Sequence, residues 1–210
     1  MGLFENFFSK EMNQTRSEKM YDDALQLFNS ASLQNQTLPA SLKEKIEAGE
    51  DCDMIRNASG RFGHDITNPI PVNGPFGELT YLSRLRLRNT GSMVFFHKIQ
   101  RIGAIDKFEL VNVSGKFVDY LYVDMYHPRA TRRYPDKYTL EREAVFPRGV
   151  TTTVPDFPSG LYKYIKKEAK QRLGVDVAEK ECKCIQIEQA KQSIAAMRKS
   201  IHSDTSSQSK

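Results

Sequence analysis

The sequence predicts an α+β fold, in which N-terminal and C-terminal helices pack on a four-stranded, mainly antiparallel meander sheet. Residues 76–126 consist of short apolar runs separated by turn residues, a pattern typical of strands joined by tight connections. Residues 17–48 and 161–201 carry apolar side chains at helical spacing. The predicted segments are an N-terminal helical segment at 1–50, a sheet core with long loops at 51–158, C-terminal helices at 159–202 and a disordered tail at 203–210.

Four strands are predicted from apolar periodicity and turn signals. The first begins at Phe76, because the prolines within residues 68–75 fix φ and remove backbone donors. Apolar and polar residues then alternate as far as Arg88, with Leu82 as the exception. Residues 93–99 are apolar at both odd and even positions, which favours a central strand covered on both faces. The last two predicted strands are residues 108–113 and 117–126, joined by a hairpin turn at Ser114 and Gly115.

Helices are predicted on both sides of this sheet. Residues 4–12 form a short helix with an aromatic face, which packs on its own domain or docks on a partner or a membrane surface. Residues 17–31, 42–48 and 161–173 have apolar faces and end at breaker residues. The final helix, from residue 177, carries apolar residues at steps of three and four between Ile187 and Ile201. This helix either docks on the sheet or pairs with a second copy of the chain.

Composition narrows the function classes. The chain of 210 residues has 31 basic and 26 acidic side chains, so its net charge of +5 permits weak attraction to polyanions without requiring it. The three cysteines lack zinc-site spacing, which predicts a reduced, cytoplasmic protein with no cofactor. No apolar run is long enough for a membrane span, and the N-terminus lacks the features of a secretory signal.

One face of the last predicted strand is rich in tyrosine. If no helix covers this face, its side chains line a groove beside Arg84 or Arg86 that suits a ligand or a peptide. Burial of the same face under a terminal helix is an equally valid interpretation. The predicted binding residues of this groove and of the preceding proline-rich loop are Asn73, Arg84, Tyr120, Tyr122, Asp124 and Tyr126.

The loop after the sheet interleaves basic and aromatic residues. Guanidinium groups bind phosphate in a bidentate manner and tyrosine rings stack on unpaired bases, so this loop is a candidate contact for another protein or for nucleic acid. The alternative is that its arginines pair with acidic residues of the same surface, at positions 51, 53, 141 and 143. The predicted binding residues in the loop are His127, Arg129, Arg132, Arg133 and Tyr134.

A nucleic-acid or ribosome-associated protein is the second hypothesis. The loop arginines would act together with the lysine-rich predicted helix, although no recognised nucleic-acid-binding module accompanies them. The lysines concerned are Lys163, Lys166, Lys167 and Lys170.

An enzyme is the third hypothesis, with hydrolytic or metal-assisted chemistry at His97, Asp124 and His127. Two histidines and a carboxylate match a metal triad if the fold brings them together. A nucleophilic pair of Cys52 with His64 is disfavoured, because the acidic residues on both sides of the cysteine oppose formation of a thiolate.

The segments NPIPVNGPFGELTYLSRL, FFHKI and LYVDMYHPR resemble those of a group of uncharacterised bacterial proteins. The likeness covers roughly residues 60–130 and implies a bacterial globular domain, with no activity, ligand or catalytic residue attached to it. Since no catalytic motif is complete, the sequence favours a cytoplasmic, non-enzymatic binding module that uses an aromatic and arginine-rich surface to contact another protein.

Overall fold

The computed structural model describes residues 15–144, 154, 156–160, 163, 166, 167, 170, 171, 174 and 186–207. The helix predicted at residues 4–12 lies outside this part of the chain. In chain order the elements are α1 Arg16–Asn29, α2 Ala31–Gln36, α3 Ala40–Glu47, β1 Ile70–Pro71, α4 Gly74–Arg84, β2 Leu85–Leu87, β3 Val94–Ile102, β4 Ile105–Asn112, β5 Val118–Asp124, β6 Tyr138–Leu140 and α5 Ile187–Ser207.

The fold is α+β, with a four-stranded sheet in the order β1-β5-β4-β3. Strands β3, β4 and β5 are antiparallel neighbours, as predicted, but β1 pairs in parallel with β5. The sheet is therefore mixed and not a pure meander. The short strands β2 and β6 form a separate antiparallel pair.

Each face of the large sheet is covered by helices. The main core packs α1 and α4 against one face, where Phe28 and Leu82 join buried sheet residues such as Phe108 and Leu121. A smaller cluster on the opposite face packs Ala190 of α5 against Phe95 and neighbouring valines. Two separately covered faces explain why both odd and even positions of β3 are apolar.

The first predicted strand is wrong, because most of residues 76–88 belong to α4. Pro75 stands in the first turn of this helix, where its missing N–H and fixed φ are tolerated. Residues from Gly77 to Ser83 are buried, so the polarity of successive side chains carries little information about secondary structure. Leu82, which broke the alternation, lies three residues after Leu79 and shares its side of the helix.

Two further predictions about the sheet need correction. Strand β3 was expected to be central, but it lies at the edge of the sheet, although residues 94–97 are buried. The proline-rich segment was expected to exclude strands, yet Ile70 and Pro71 pair with Val123 and Asp124. A strand of two residues at the sheet edge accommodates proline because few ladder hydrogen bonds are needed there.

The terminal helices agree with the sequence patterns except at their ends. Thr15 begins α1 with a capping box, in which its backbone N–H donates to Glu18 at 2.8 Å. The polar stretch after α1 was predicted to be a break, but it forms α2, which Ser30 caps. The tail predicted to be disordered is helical through Ser207. The described residues of the predicted helix 161–173, at positions 163, 166, 167, 170 and 171, are helical.

In the part of the chain that the structure describes, no helix has both the length and the apolar character needed to cross a membrane.

We expect Gly115→Ala to destabilise the protein more than Gly103→Ala. Both glycines have positive φ, at 70° and 61°, so each substitution strains the turn by about 1–2 kcal/mol. A Cβ at Gly115 would also lie 2.5 Å from the backbone nitrogen of Ala190, whereas one at Gly103 meets nothing within 4 Å. The clash adds about 1–3 kcal/mol. Urea unfolding of both variants measures the difference, and equal losses would show that α5 does not pack on this hairpin.

Candidate binding surface and polar clusters

The second face of the sheet carries an aromatic and cationic surface beside α5. The Lys107 ammonium lies over the rings of Tyr120 and Tyr122, at 5.0 and 5.5 Å from their centroids. Lys107 is in register with Tyr122, so the β-ladder places them side by side. All three side chains are partly exposed. We call these three residues the tyrosine–lysine surface.

The structure divides the tyrosine groove that the sequence predicts. Tyr126 packs against the main core, and its hydroxyl accepts a hydrogen bond from Arg101. Arg101 is in register with the buried Asp106 and so belongs to the core side of the sheet. The predicted partners Arg84 and Arg86 bind elsewhere: they join the segment at Glu141, to which Arg84 Nε donates at 2.7 Å and Arg86 donates at 2.9 and 2.6 Å. Arg84 and Arg86 therefore do not border the tyrosines. The basic residue beside Tyr120 and Tyr122 is Lys107.

Beneath α5 the same face contains a polar cluster centred on Glu109. This carboxylate is fully buried and accepts hydrogen bonds from His97 Nε2 at 3.0 Å and from the Tyr120 hydroxyl at 2.7 Å. Arg198 of α5 donates to both of its oxygens, at 2.7 and 3.1 Å. Burial alone would raise the pKa of Glu109, but these hydrogen bonds outweigh it and lower the pKa. Glu109 is therefore an ionised anchor for the C-terminal helix.

Asn73 lies in the interior and not at the predicted surface, since only 1% of it is exposed. Its amide nitrogen donates to Gln34 at 2.9 Å and to Asn35 at 3.0 Å. The side chain thus joins the start of α4 to α2, which is a structural role.

The predicted basic loop divides into anchored and exposed residues. Arg129 pairs with Asp51 and Asp53, at 2.6 Å in each case, as the alternative interpretation of the loop expects. The Arg133 guanidinium lies over the Phe62 ring, 5.6 Å from its centroid. Arg132, Arg133 and Tyr134 are exposed. The loop is thus held by Arg129 and by the buried Thr131, and residues 132–134 remain at the surface.

His127 and Asp124 do meet, and Cys52 is their unexpected neighbour. His127 Nε2 lies 3.5 Å from Asp124 Oδ2, and the Cys52 sulfur lies 3.7 Å from His127 Nδ1. His97 is not part of this group. It is in register with Glu109 and Tyr120, and Asp124 lies four residues further along β5, about 13 Å away at ~3.3 Å per residue. The fold therefore does not bring together the three residues of the enzyme hypothesis.

The hydrogen bonds of His127 are unsuited to activating Cys52. Nδ1 donates to the Glu50 carbonyl at 2.7 Å, so this nitrogen already carries a proton and cannot accept one from the thiol. Burial opposes a charged ring, but the hydrogen bonds to Asp124 and Glu50 outweigh it and raise the pKa of His127. Burial, followed by repulsion from Glu50, raises the pKa of the Cys52 thiol. The thiolate is disfavoured, in line with the expectation from its acidic neighbours.

A further buried carboxylate holds the segment around residue 64 and β6 to the sheet. Asp119 accepts hydrogen bonds from His64 Nε2 at 2.9 Å, the Tyr138 hydroxyl at 3.0 Å and Lys137 at 3.2 Å. Burial raises the pKa of this carboxyl, but these partners together hold the pKa below its usual range. The sequence offered one signal, an acid within the apolar side of β5, but not the identity of its partners.

Comparison with protein-family models, curated proteins and solved structures finds no match to this chain.

Among the described residues, no group of three or more histidines, cysteines, aspartates or glutamates is arranged to hold a metal ion. Of the predicted lysine cluster, Lys163, Lys167 and Lys170 are exposed and Lys166 is partly buried. Inferences about function therefore come from the geometry of the described surfaces.

We expect Cys52 to react slowly with iodoacetamide. In a Cys182→Ser/Cys184→Ser background, the midpoint of its rate–pH profile should lie above that of a free cysteine, because its surroundings raise the thiol pKa. Mass spectrometry of the alkylated chain gives the rate. A midpoint below that of free cysteine would show that Cys52 is an activated nucleophile.

Replacing Arg198 with Met should destabilise the docking of α5 by about 1–3 kcal/mol, because Glu109 then keeps a buried charge with fewer donors. Lys199→Met is the matched control, since Lys199 is an exposed neighbour on the same helix. Hydrogen exchange of the α5 amides together with urea unfolding measures the effect. Equal protection in the two variants would contradict an anchoring role for Arg198.

Proposed function

We propose that this protein is a non-enzymatic binding module of the cytoplasm, which docks an acidic segment of another protein on the tyrosine–lysine surface. The observation that carries this proposal is the position of the Lys107 ammonium over two tyrosine rings. Its described contacts are with these rings and not with a carboxylate. A cation held in this way keeps its charge available to a partner, and the rings supply apolar contact area.

The surroundings of this surface support an acidic partner. Lys116 is exposed, and the Arg198 guanidinium, which binds the same Glu109 carboxylate as Tyr120, is about half exposed. Beside Tyr120, on the same face, an open depression of about 360 Å³ is lined by Lys116, Met197 and small or apolar residues of β5 and α5. The tyrosine rings, Met197 and Arg198 are of residue types enriched at protein interfaces, and the lysines supply the positive charge that an acidic partner would meet.

The polar clusters support a non-enzymatic role. Cys52 is adjacent to a histidine nitrogen that is already protonated, and His97 lies with Glu109 under α5. These hydrogen bonds stabilise the fold instead of presenting a base or a nucleophile to a substrate. The likeness of residues 60–130 to uncharacterised bacterial proteins leads us to propose a bacterial origin for the module.

Direct binding tests this function. The probe is a short fluorescent poly-glutamate peptide, and we expect Lys107→Glu to weaken its binding about tenfold by reversing the central charge. Lys45→Glu makes the same charge change on exposed α3 and should leave binding unchanged. Fluorescence anisotropy gives both affinities. Equal effects of the two substitutions would refute a specific role for the tyrosine–lysine surface.

A poly-thymidine oligonucleotide of matched charge distinguishes the nucleic-acid hypothesis. The proposal expects the oligonucleotide to bind more weakly than the peptide. Tighter oligonucleotide binding that falls steeply with salt, and that is lost in Arg132→Ala/Arg133→Ala, would replace the proposed function with nucleic-acid binding.

A further inference from the structure

Two buried carboxyl groups meet between α4 and the sheet. Glu78 of α4 is 1% exposed and Asp106 of β4 is fully buried. Lys98 of β3 faces both: its ammonium lies 2.9 Å from Asp106 Oδ2 and 3.7 Å from Glu78 Oε2. One lysine therefore faces two acids in the interior.

The other oxygen of each carboxyl group lacks a donor. Glu78 Oε1 and Asp106 Oδ1 are buried and have no hydrogen-bond partner among the described residues. Arg101 Nε lies 4.0 Å from Asp106 Oδ1, which is too far for a hydrogen bond. Both carboxyl groups contact the same Lys98 ammonium and so lie close together, and a hydrogen bond with Asp106 is among the causes that raise the pKa of Glu78. A proton on one of them supplies the missing donor to the other.

We propose that Glu78 and Asp106 hold one proton between them at neutral pH and form a proton-binding site at the junction of α4 and the sheet. The charged groups that face this site are Lys98 and Arg101 of β3. With one proton bound, the four side chains carry one negative and two positive charges. Without it, two carboxylates would repel each other in a region from which water is excluded.

The electrostatics of the site agree with the geometry. Burial, as the largest cause, and the Asp106 contact together raise the pKa of Glu78 to about 9, although the charge of Lys98 opposes them. Glu109 is equally buried, but its pKa is lowered because donors occupy both of its oxygens. The supply of hydrogen-bond donors distinguishes the two glutamates: Glu109 has several, whereas Glu78 Oε1 has none among the described residues.

The raised pKa fixes the direction of the pH dependence. The unfolded chain ionises Glu78 near pH 4.5, whereas the folded chain keeps the proton up to about 9. This contribution to stability is complete below pH 4.5 and is lost as pH rises toward 9. Between these two pH values, the loss of this contribution lowers the folding equilibrium constant by up to about tenfold per pH unit.

Carbon-13 NMR of the full chain labelled at glutamate carboxyl carbons tests the proposal, with the Glu78 signal assigned by its absence in Glu78→Gln. We expect this carboxyl to remain protonated at pH 7 and to titrate near pH 9. Asp106→Asn should lower its midpoint by removing the neighbouring negative charge, and Lys98→Met should raise it by removing the positive charge. A midpoint at or below 4.5 in the wild-type protein would overturn the proposal, since Glu78 would then be an ionised partner of Lys98 or would be solvated.

Stability measurements give a second readout that does not depend on assigning an NMR signal. We expect Glu78→Gln to become more stable than the wild type as pH rises from 6 to 8, because the amide supplies a donor without a charge. Glu109→Gln is the matched control, a buried glutamate on the sheet that should be destabilised over the same range. If the free energies of unfolding of wild type and Glu78→Gln, measured with urea, change equally with pH over this range, the shared proton is refuted.

Discussion

Every buried acid on the two inner strands of the sheet must find a compensating partner, and these partners determine which elements pack where. Asp106 meets Glu78 of α4 and Lys98 on one face, while Glu109 is bound by Arg198 of α5 on the other. An unpaired charge in such a position would cost several kcal/mol, so each of these elements is held to one site. The apolar core supplies most of the packing contacts, and the buried acids determine the positions at which the helices dock.

The same requirement explains why the two faces of the sheet differ. On the core face, Asp106 lies near Glu78 of α4, and the basic side chains of Lys98 and Arg101 next to it are partly exposed. On the second face α5 covers Phe95 and anchors on Glu109, which leaves Tyr122 and Lys107 partly exposed. The tyrosine–lysine surface therefore lies where helix coverage ends, on a rigid antiparallel ladder. A rigid position of this kind reduces the entropy lost when a partner binds.

Local pattern was sufficient for part of the site and misleading for the rest. The face shared by Tyr120 and Tyr122 follows from the two-residue period of a strand. Tyr126 follows the same period in sequence but lies beyond the end of β5, where the chain leaves the ladder and the side chain turns to the main core. The arginines expected beside the tyrosines bind Glu141 instead, because α4 replaced the predicted strand and carried them to the small sheet.

The sequence by itself determined the α+β class, the three antiparallel strands with their hairpin at Gly115, and the terminal helices, because apolar periodicity and turn residues act over a few neighbouring positions. Only the tertiary structure decided that the segment after Pro75 is a helix, since full burial removes the difference between its faces. It also decided the partners of each buried acid, such as Glu109 with Arg198, 89 residues apart. Such pairs form because charge must be compensated in three dimensions, a requirement that leaves no local pattern in the chain.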